Sequence, residues 1–370
     1  MNPQITVGSQ VFYIILSLIV LLIASIAEKT KQKEFAILLA IVLIFVSGFR
    51  GYTVGRDTRN YVVIFANINQ GGYYAKEAGF LFLCKVILNI WNNYTFAFLL
   101  FSILIYGLIV FRLWELKDKI SFSCATFSFY SFYFFESMNV MRQFCAVALV
   151  FWATRYLQKK KYIPFMVVVL CATIFFHSSA LLSFLYLGME FFSWKDLDRK
   201  QRRLLTTLFV GGILFSGVII SFLGGFTEKY QHFFRSAEAN IGFRVFALLG
   251  IFMVSLFLYS KKGKENVYDS YSNYGQNDLY MIRNARIYYL VSCALTSIGY
   301  FYELMGRIGY YFIMYQFVYF GMIVREKNQI ARWIMKLMVY LITLYVLYGY
   351  IFVHNGSWHH PYYFVWDYLK

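Results

Sequence analysis

Apolar residues along this chain fall in long runs, separated by short polar segments that carry most of the charge. The runs lie near residues 11–27, 35–49, 94–114, 120–135, 140–157, 162–177, 178–192, 204–223, 243–259, 287–302, 308–324 and 333–353. Several approach the roughly 20 apolar residues that cross a bilayer as a helix. The pattern predicts an all-α polytopic membrane protein, one transmembrane domain over residues 1–370 with about 12 spans. Its chief polar insertions are outer loops 50–93 and 224–242 and inner loop 260–286. The segment before Val11 has no positively charged region and is not expected to be a cleaved signal.

Lys and Arg collect in short cytoplasmic loops, and this sets orientation. Lys29, Lys31 and Lys33 separate the first two runs, which puts both termini outside. The same rule places Lys117 and Lys119, Lys159–Lys161, Arg199–Arg203, Lys261–Arg286 and Arg325–Arg332 inside. Residues 79–91 (GFLFLCKVILNIW) are apolar enough to tempt a further span, but counting it would invert every later loop. They are read as a re-entrant or interfacial helix. The pair 162–177 and 178–192 is short, with His177-Ser178-Ser179 at its tip. A histidine at membrane depth is costly, and so is a candidate for chemistry; a hydrogen bond to a neighbouring helix would explain it equally well.

Composition agrees with a membrane protein: 60% of residues are hydrophobic and 14% charged, against roughly 25% charged in soluble domains. Of the net charge of +17, +13 falls on the inner side by this topology, so basicity calls for no nucleic-acid partner. Of 11 outer basic residues, 7 are Arg: 50, 56, 59, 142, 235, 244 and 307. Arg is the better bidentate ligand for phosphate, so an anionic head group bound from outside fits. The five cysteines form no CxxC or His/Cys metal spacing, and Asp196-Leu197-Asp198 reads as loop charge. No metal site and no cofactor are expected, since metalloprotease, nucleophile-elbow, P-loop and dinucleotide motifs are all missing from the sequence.

Three outer constellations carry candidate chemistry. FRGYTVGRDTRNY (49–61) sets Arg50, Arg56 and Arg59 around two glycines, with Asp57 to orient an arginine or act as a base. FFESMNVMRQ (134–143) interrupts an apolar stretch with Glu136, Asn139, Arg142 and Gln143. There Asn139 and Arg142 are expected as i,i+3 neighbours on one helical face, and a structural Arg–Glu pair is the plainer alternative. ELMGR (303–307) offers Glu303 and Arg307 at i,i+4, which a helix-stabilising ion pair also explains. Arg235, Arg244 and His232 mark the second outer loop. The tail HNGSWHHPYYFVWDY, with His354, His359 and His360, fits an interfacial aromatic belt better than a metal site.

Five of these segments, taken in order, resemble one family. They are R-G-Y-x-V-G-x-D-x-x-x-Y (Arg50 to Tyr61), E-x-G-F (Glu77 to Phe80), M-N-V-M-R-Q (from Met138), F-H-S-S-A (Phe176 to Ala180) and the late Arg307. Together they resemble the EpsG-like branch of the Wzy polysaccharide polymerases. The resemblance implies a metal-independent glycosyltransferase at the outer face of the bacterial cytoplasmic membrane, its active site facing the periplasm or exterior. It would move a growing chain from one undecaprenyl-diphosphate-linked oligosaccharide repeat onto another, with membrane lipid around it and a chain-length-regulating co-polymerase as a partner. By motif match, Arg50, Asp57, Tyr61, Glu77, Arg142, Gln143, His177 and Arg307 would belong to the site. Arg56, Arg59 and Asn139 join them on chemistry alone. Arginines would neutralise the departing diphosphate, with Arg142 and Arg50 foremost. His177, Glu136 or Asp57 would take the acceptor proton. A flippase or transporter of the lipid-linked sugar, an O-antigen-type ligase and a non-catalytic scaffold are the competing readings.

Overall fold

A computed structural model describes residues 4–70, 77–191, 243–260, 276–299, 303–325, 328–355 and 357–369. Every described element is helical, apart from one isolated antiparallel bridge between Arg50 and Phe364. The first two helices, α1 (Val7–Thr30) and α2 (Lys33–Gly48), form a hairpin. The Thr6 side chain caps α1 by accepting from the Ser9 N–H, and α1 ends where Lys31 turns left-handed at φ 57°. Next come α3 (Thr58–Asn69), α4 (Ala78–Ile90) and α5 (Tyr94–Glu115), the last capped by Asn93.

Helix α6 (Phe122–Phe129) runs through a π turn at Tyr130–Phe134 into the short α7 (Phe135–Asn139). Val140 then breaks the helix (φ −85°, ψ 49°) before α8 (Met141–Gln158). Helix α9 (Tyr162–Phe175) stops ahead of His177, and a 3₁₀ stretch at Ser178–Phe184 leads into α10 (Leu185–Phe191). The remaining described helices are α11 (Phe243–Ser260), α12 (Gln276–Gly299), α13 (Glu303–Ile323) and α14 (Gln329–Tyr348).

Charge contacts assign the two ends of this bundle. At one end Lys31 approaches Asp118 at 3.8 Å, and Arg325 donates to the Lys117 and Ile120 carbonyls at 2.8 and 3.2 Å. Glu115 there bridges Arg112 (3.0 Å) and Arg155 (2.8 Å). Basic segments far apart in sequence thus gather on one side, as the charge rule anticipates. Because Glu115 ends α5 and Arg155 lies near the end of α8, these packed helices run parallel. Their first residues, Tyr94 and Met141, therefore share the opposite end.

That geometry explains α4. Glu77, just before it, reaches Arg142 at the start of α8, and Trp91, just after it, packs on Phe96 in the first turn of α5. Both ends of α4 lie on one side, and its 13 residues span only ~20 Å. A single unbroken helix with both ends on one side lies across that end of the bundle instead of passing through it. Gly79 makes this possible, because a Cβ there would collide with the Ile174 carbonyl of α9.

Three described helices, Val7–Thr30, Tyr94–Glu115 and Gln329–Val353, are long and apolar enough to cross a membrane by themselves; Ala78–Ile90, Tyr162–Phe175 and Ile308–Ile323 are shorter apolar helices. The chain is a membrane protein whose apolar side chains face outward along α1, α9 and α14. Two expectations change. Asn139 does not share a helix with Arg142, since Val140 separates them. The inner loop 260–286 is shorter than expected, because α12 begins at Gln276. The expected span 204–223 and outer loop 224–242 lie outside the described residues.

Candidate active site

The end opposite the basic loops holds a closed ring of polar contacts supplied by α3, α4, α8, the His177 turn and α13. Arg142, in the first turn of α8, donates from Nη1 to Glu77 Oε2 at 2.7 Å. Its guanidinium lies 5.2 Å from the centre of the Phe80 ring, a cation–π contact. Its backbone N–H, one of the four that a helix start leaves without a partner, donates to the Tyr61 hydroxyl at 3.3 Å. Glu77 Oε1 also accepts from the Ser178 N–H at 3.5 Å. From Ser179 the ring continues through a hydroxyl contact to Tyr311 (2.9 Å), and Tyr311 contacts Gln143, next to Arg142. The Arg142 and Glu77 side chains are 25% and 10% exposed, so the pair is largely withdrawn from water yet reachable from it. Arg142 Nε has no hydrogen-bond partner.

His177 sits where α9 gives way to the 3₁₀ stretch, and its Nδ1 accepts from the Ser179 N–H at 3.3 Å and lies 2.6 Å from Ser179 Oγ. A backbone N–H can only donate, so Nδ1 is the acceptor and the ring proton of a neutral His177 resides on Nε2. In this tautomer Nδ1 is already engaged and Nε2 carries the proton, so the neutral ring is a donor at Nε2.

Arg50 behaves differently. It is fully buried, donates to the Ser47 and Met138 carbonyls and to Thr58 Oγ1 (3.3 Å), and stacks over Phe98 at 4.6 Å. Ser47 and Met138 lie in the last turns of α2 and α7, where carbonyls lack intrahelical partners and the helix dipole is negative. The cation closes both helix ends. Burial lowers the Arg50 guanidinium to about 10, which leaves it charged at neutral pH. Arg50 thus anchors the 49–57 loop and presents no face for a phosphate.

Arg56 and Arg59 are exposed on that loop and the first turn of α3, and among the described residues neither has an ion-pair partner. Asp57, which precedes α3, accepts from Asn60 at 3.4 Å. Gly55 takes φ +97°, where a Cβ would lie 2.7 Å from Thr58 Oγ1 and 3.0 Å from Asn139 Oδ1; only glycine fits. Glu136 accepts from the Tyr310 hydroxyl (3.1 Å) and from Ser357 Oγ (3.1 Å), and Asn139 Nδ2 donates to the Ser357 carbonyl (3.0 Å).

The structure therefore brings Tyr61, Glu77, Arg142, Gln143 and His177 into one network, with Glu136 attached to the neighbouring Tyr310 and with Asn139, Arg50 and Gly55 behind it. The structural Arg–Glu pair is Arg142–Glu77 rather than Arg142–Glu136. The side chains of Glu303, Arg307 and Arg244, together with His232, Arg235 and Asp196–Asp198, lie outside what the structure describes. Sequence reading missed Tyr310, Tyr311 and Ser357. The two tyrosines are hidden among 33 tyrosines in the chain, and Ser357 lay in a tail read as an aromatic belt. That tail is instead folded in, with His359 and His360 fully buried. Burial drives His359 down to about 3, so it is neutral. Among the described residues no group of three or more His, Cys, Asp or Glu side chains comes together to hold a metal ion.

No curated protein and no solved structure matches the chain. The model of the EpsG family matches residues 33–369, a stretch that holds every residue of the ring, and the chain belongs to the EpsG family.

Proposed function

We propose that this protein is a polysaccharide polymerase that joins undecaprenyl-diphosphate-linked oligosaccharide repeats at the outer face of the bacterial cytoplasmic membrane. Family membership supports a membrane polymerase of this kind. The observation that carries the finer reading is the Arg142–Glu77 pair, closed into a ring by His177, Ser179, Tyr311 and Gln143 at the end away from the basic loops.

The reaction requires the acceptor hydroxyl to attack the anomeric carbon of the donor sugar. The bond from that carbon to the diphosphate oxygen breaks, the lipid diphosphate leaves as an anion, and the hydroxyl proton passes to a base. Charge growing on the leaving oxygen is best met by a fixed cation in a site poor in water. Arg142 fits, because Glu77 and Phe80 hold its guanidinium while a quarter of the side chain stays open to solvent. Arg56 and Arg59, exposed on the adjoining loop, would draw in the anionic head group. His177 would donate from Nε2 to a sugar oxygen, and Glu136 and Asp57 remain as bases for the acceptor proton. Nothing in this scheme calls for a bound metal.

The test is purified protein in liposomes with a synthetic lipid-diphosphate repeat unit, with and without EDTA, and products resolved by size. A ladder in both conditions supports the reading. Transfer of the unit across the bilayer without lengthening would identify a transporter, and attachment to a different acceptor would identify a ligase; either result overturns the proposal.

A further inference from the structure

Asn355 and residues 357–365, which follow the last long helix, are tied down repeatedly. Two bonds join the segment to the 49–51 strip: Gly51 N–H donates to Tyr363 O at 2.7 Å, and Val365 N–H to Phe49 O at 2.9 Å. Two more hold the glycine turn, from Gly55 N–H to Trp358 O (2.7 Å) and from Arg56 N–H to Ser357 O (3.0 Å). From α1, Tyr13 donates its hydroxyl to His359 O (2.7 Å), and Ser9 Oγ accepts from Tyr362 N–H (2.7 Å). The Tyr362 hydroxyl reaches Val46 O of α2 at 2.8 Å. Asn355 staples the segment to itself, bonding both the N–H and the carbonyl of His360.

Ser357 is the point where this strap meets the candidate site. Its carbonyl accepts from both Arg56 N–H and Asn139 Nδ2, and its hydroxyl donates to Glu136 Oε2. One residue thereby fixes a loop arginine's backbone, the asparagine beneath Gly55, and a carboxylate. Strength is not the reason for such an arrangement, since α1 and α2 already hold the strap without Ser357. What Ser357 adds is orientation of groups belonging to three separate elements.

We infer that residues 357–365 are a strap that completes the site, with Ser357 as a positioning residue that aims Glu136 and holds the Arg56 turn for transfer of the sugar chain. The inference rests on the polymerase reading above. Ser357 does not touch the reacting atoms; it acts through Glu136 and Asn139. Removing its hydroxyl leaves Glu136 with Tyr310 as its one remaining donor among those described, free to rotate away from the acceptor.

The experiment compares wild type with Ser357→Ala and Ser357→Thr in liposomes, reading kcat and KM for the lipid-linked repeat together with thermal midpoint. Loss of one hydrogen bond to a charged group gives an expected fall of about tenfold in kcat for Ser357→Ala. KM and thermal midpoint should stay near wild type, and threonine should restore kcat, because it keeps the hydroxyl. Equal kcat in wild type and Ser357→Ala overturns the strap proposal while leaving the polymerase reading intact. A fall in kcat that threonine fails to rescue, or that tracks a drop in thermal midpoint, marks a structural role and also overturns it. Absence of a ladder from wild type itself is the separate failure of the polymerase reading.

Discussion

Replacing Glu77 by Gln tests the ring at its most charged link. The side chain keeps its length but loses its charge, and one oxygen becomes an NH₂ donor. Glu77 now accepts two bonds, from Arg142 Nη1 at 2.7 Å and from the Ser178 N–H at 3.5 Å. Glutamine has one acceptor oxygen on that group, so its NH₂ must face either the guanidinium or the Ser178 N–H, donor against donor. Two unit charges about 4 Å apart attract by about 4 kcal/mol at the effective dielectric near a protein surface. With the partners 25% and 10% exposed, screening reduces this to about 2 kcal/mol. If Glu77 holds Arg142 in its working position, that corresponds to about a 30-fold fall in polymerisation rate. The assay is initial ladder formation in liposomes for wild type, Glu77→Gln, Arg142→Gln and the double variant. The double variant should be no slower than Arg142→Gln, which gives a coupling of about 2 kcal/mol between the two sites. Additive effects, to within about 0.5 kcal/mol, would refute the claim that the two residues act as one unit.

Three further outcomes follow from the same contacts. Gly55→Ala should lower the thermal midpoint through a loss of about 1–3 kcal/mol, because alanine is strained at φ +97° and meets Thr58 Oγ1; an unchanged midpoint would show that the turn can relax. Arg50→Met should reduce the yield of folded protein in membranes, since it leaves the Ser47 and Met138 carbonyls without their donor at about 1–3 kcal/mol each. Normal yield with lost activity would instead return Arg50 to direct substrate contact. Tyr311→Phe removes the hydroxyl that links Ser179 with Gln143. It should slow polymerisation about tenfold while shifting stability by no more than about 1 kcal/mol, and a wild-type rate would take Tyr311 out of the ring.

Much of the fold is legible in the pattern of apolar runs, because burial in lipid demands long apolar helices and leaves charge at their ends. Helices α1, α2, α5 and α14 stand where those runs predict, and charge placement already argued against α4 as a further span. Local breaks are less legible. Val140 separates Asn139 from Arg142, and nothing in MNVMR distinguishes one continuous helix from two. The 3₁₀ stretch after His177 is capped by the His177 ring, which accepts from the Ser179 N–H, and periodicity does not encode this.

Site chemistry divides along similar lines. Polar residues interrupting apolar stretches, such as Glu136, Arg142 and His177, stand out because they are costly at membrane depth, whereas Glu77, in a polar loop, enters only through the family resemblance. Which of them pair is a matter of tertiary contact: Glu77 and Arg142 are 65 positions apart. Arg50 shows the converse. Its position beside Gly51 suggested a phosphate clamp, whereas two helix ends at Ser47 and Met138 consume its donors. Ser357 carries no sequence signal, since a serine in an aromatic tail looks like any other loop residue.

The central claim is that the chemistry takes place at the Arg142 end of the bundle. The most direct measurement compares ladder formation by Arg142→Ala with that by Lys31→Ala, a charge deletion at the basic end, at matched levels of folded protein. Loss of the ladder in Arg142→Ala with a wild-type ladder in Lys31→Ala is the expected result. A wild-type ladder from Arg142→Ala would contradict it and move the site elsewhere in the chain.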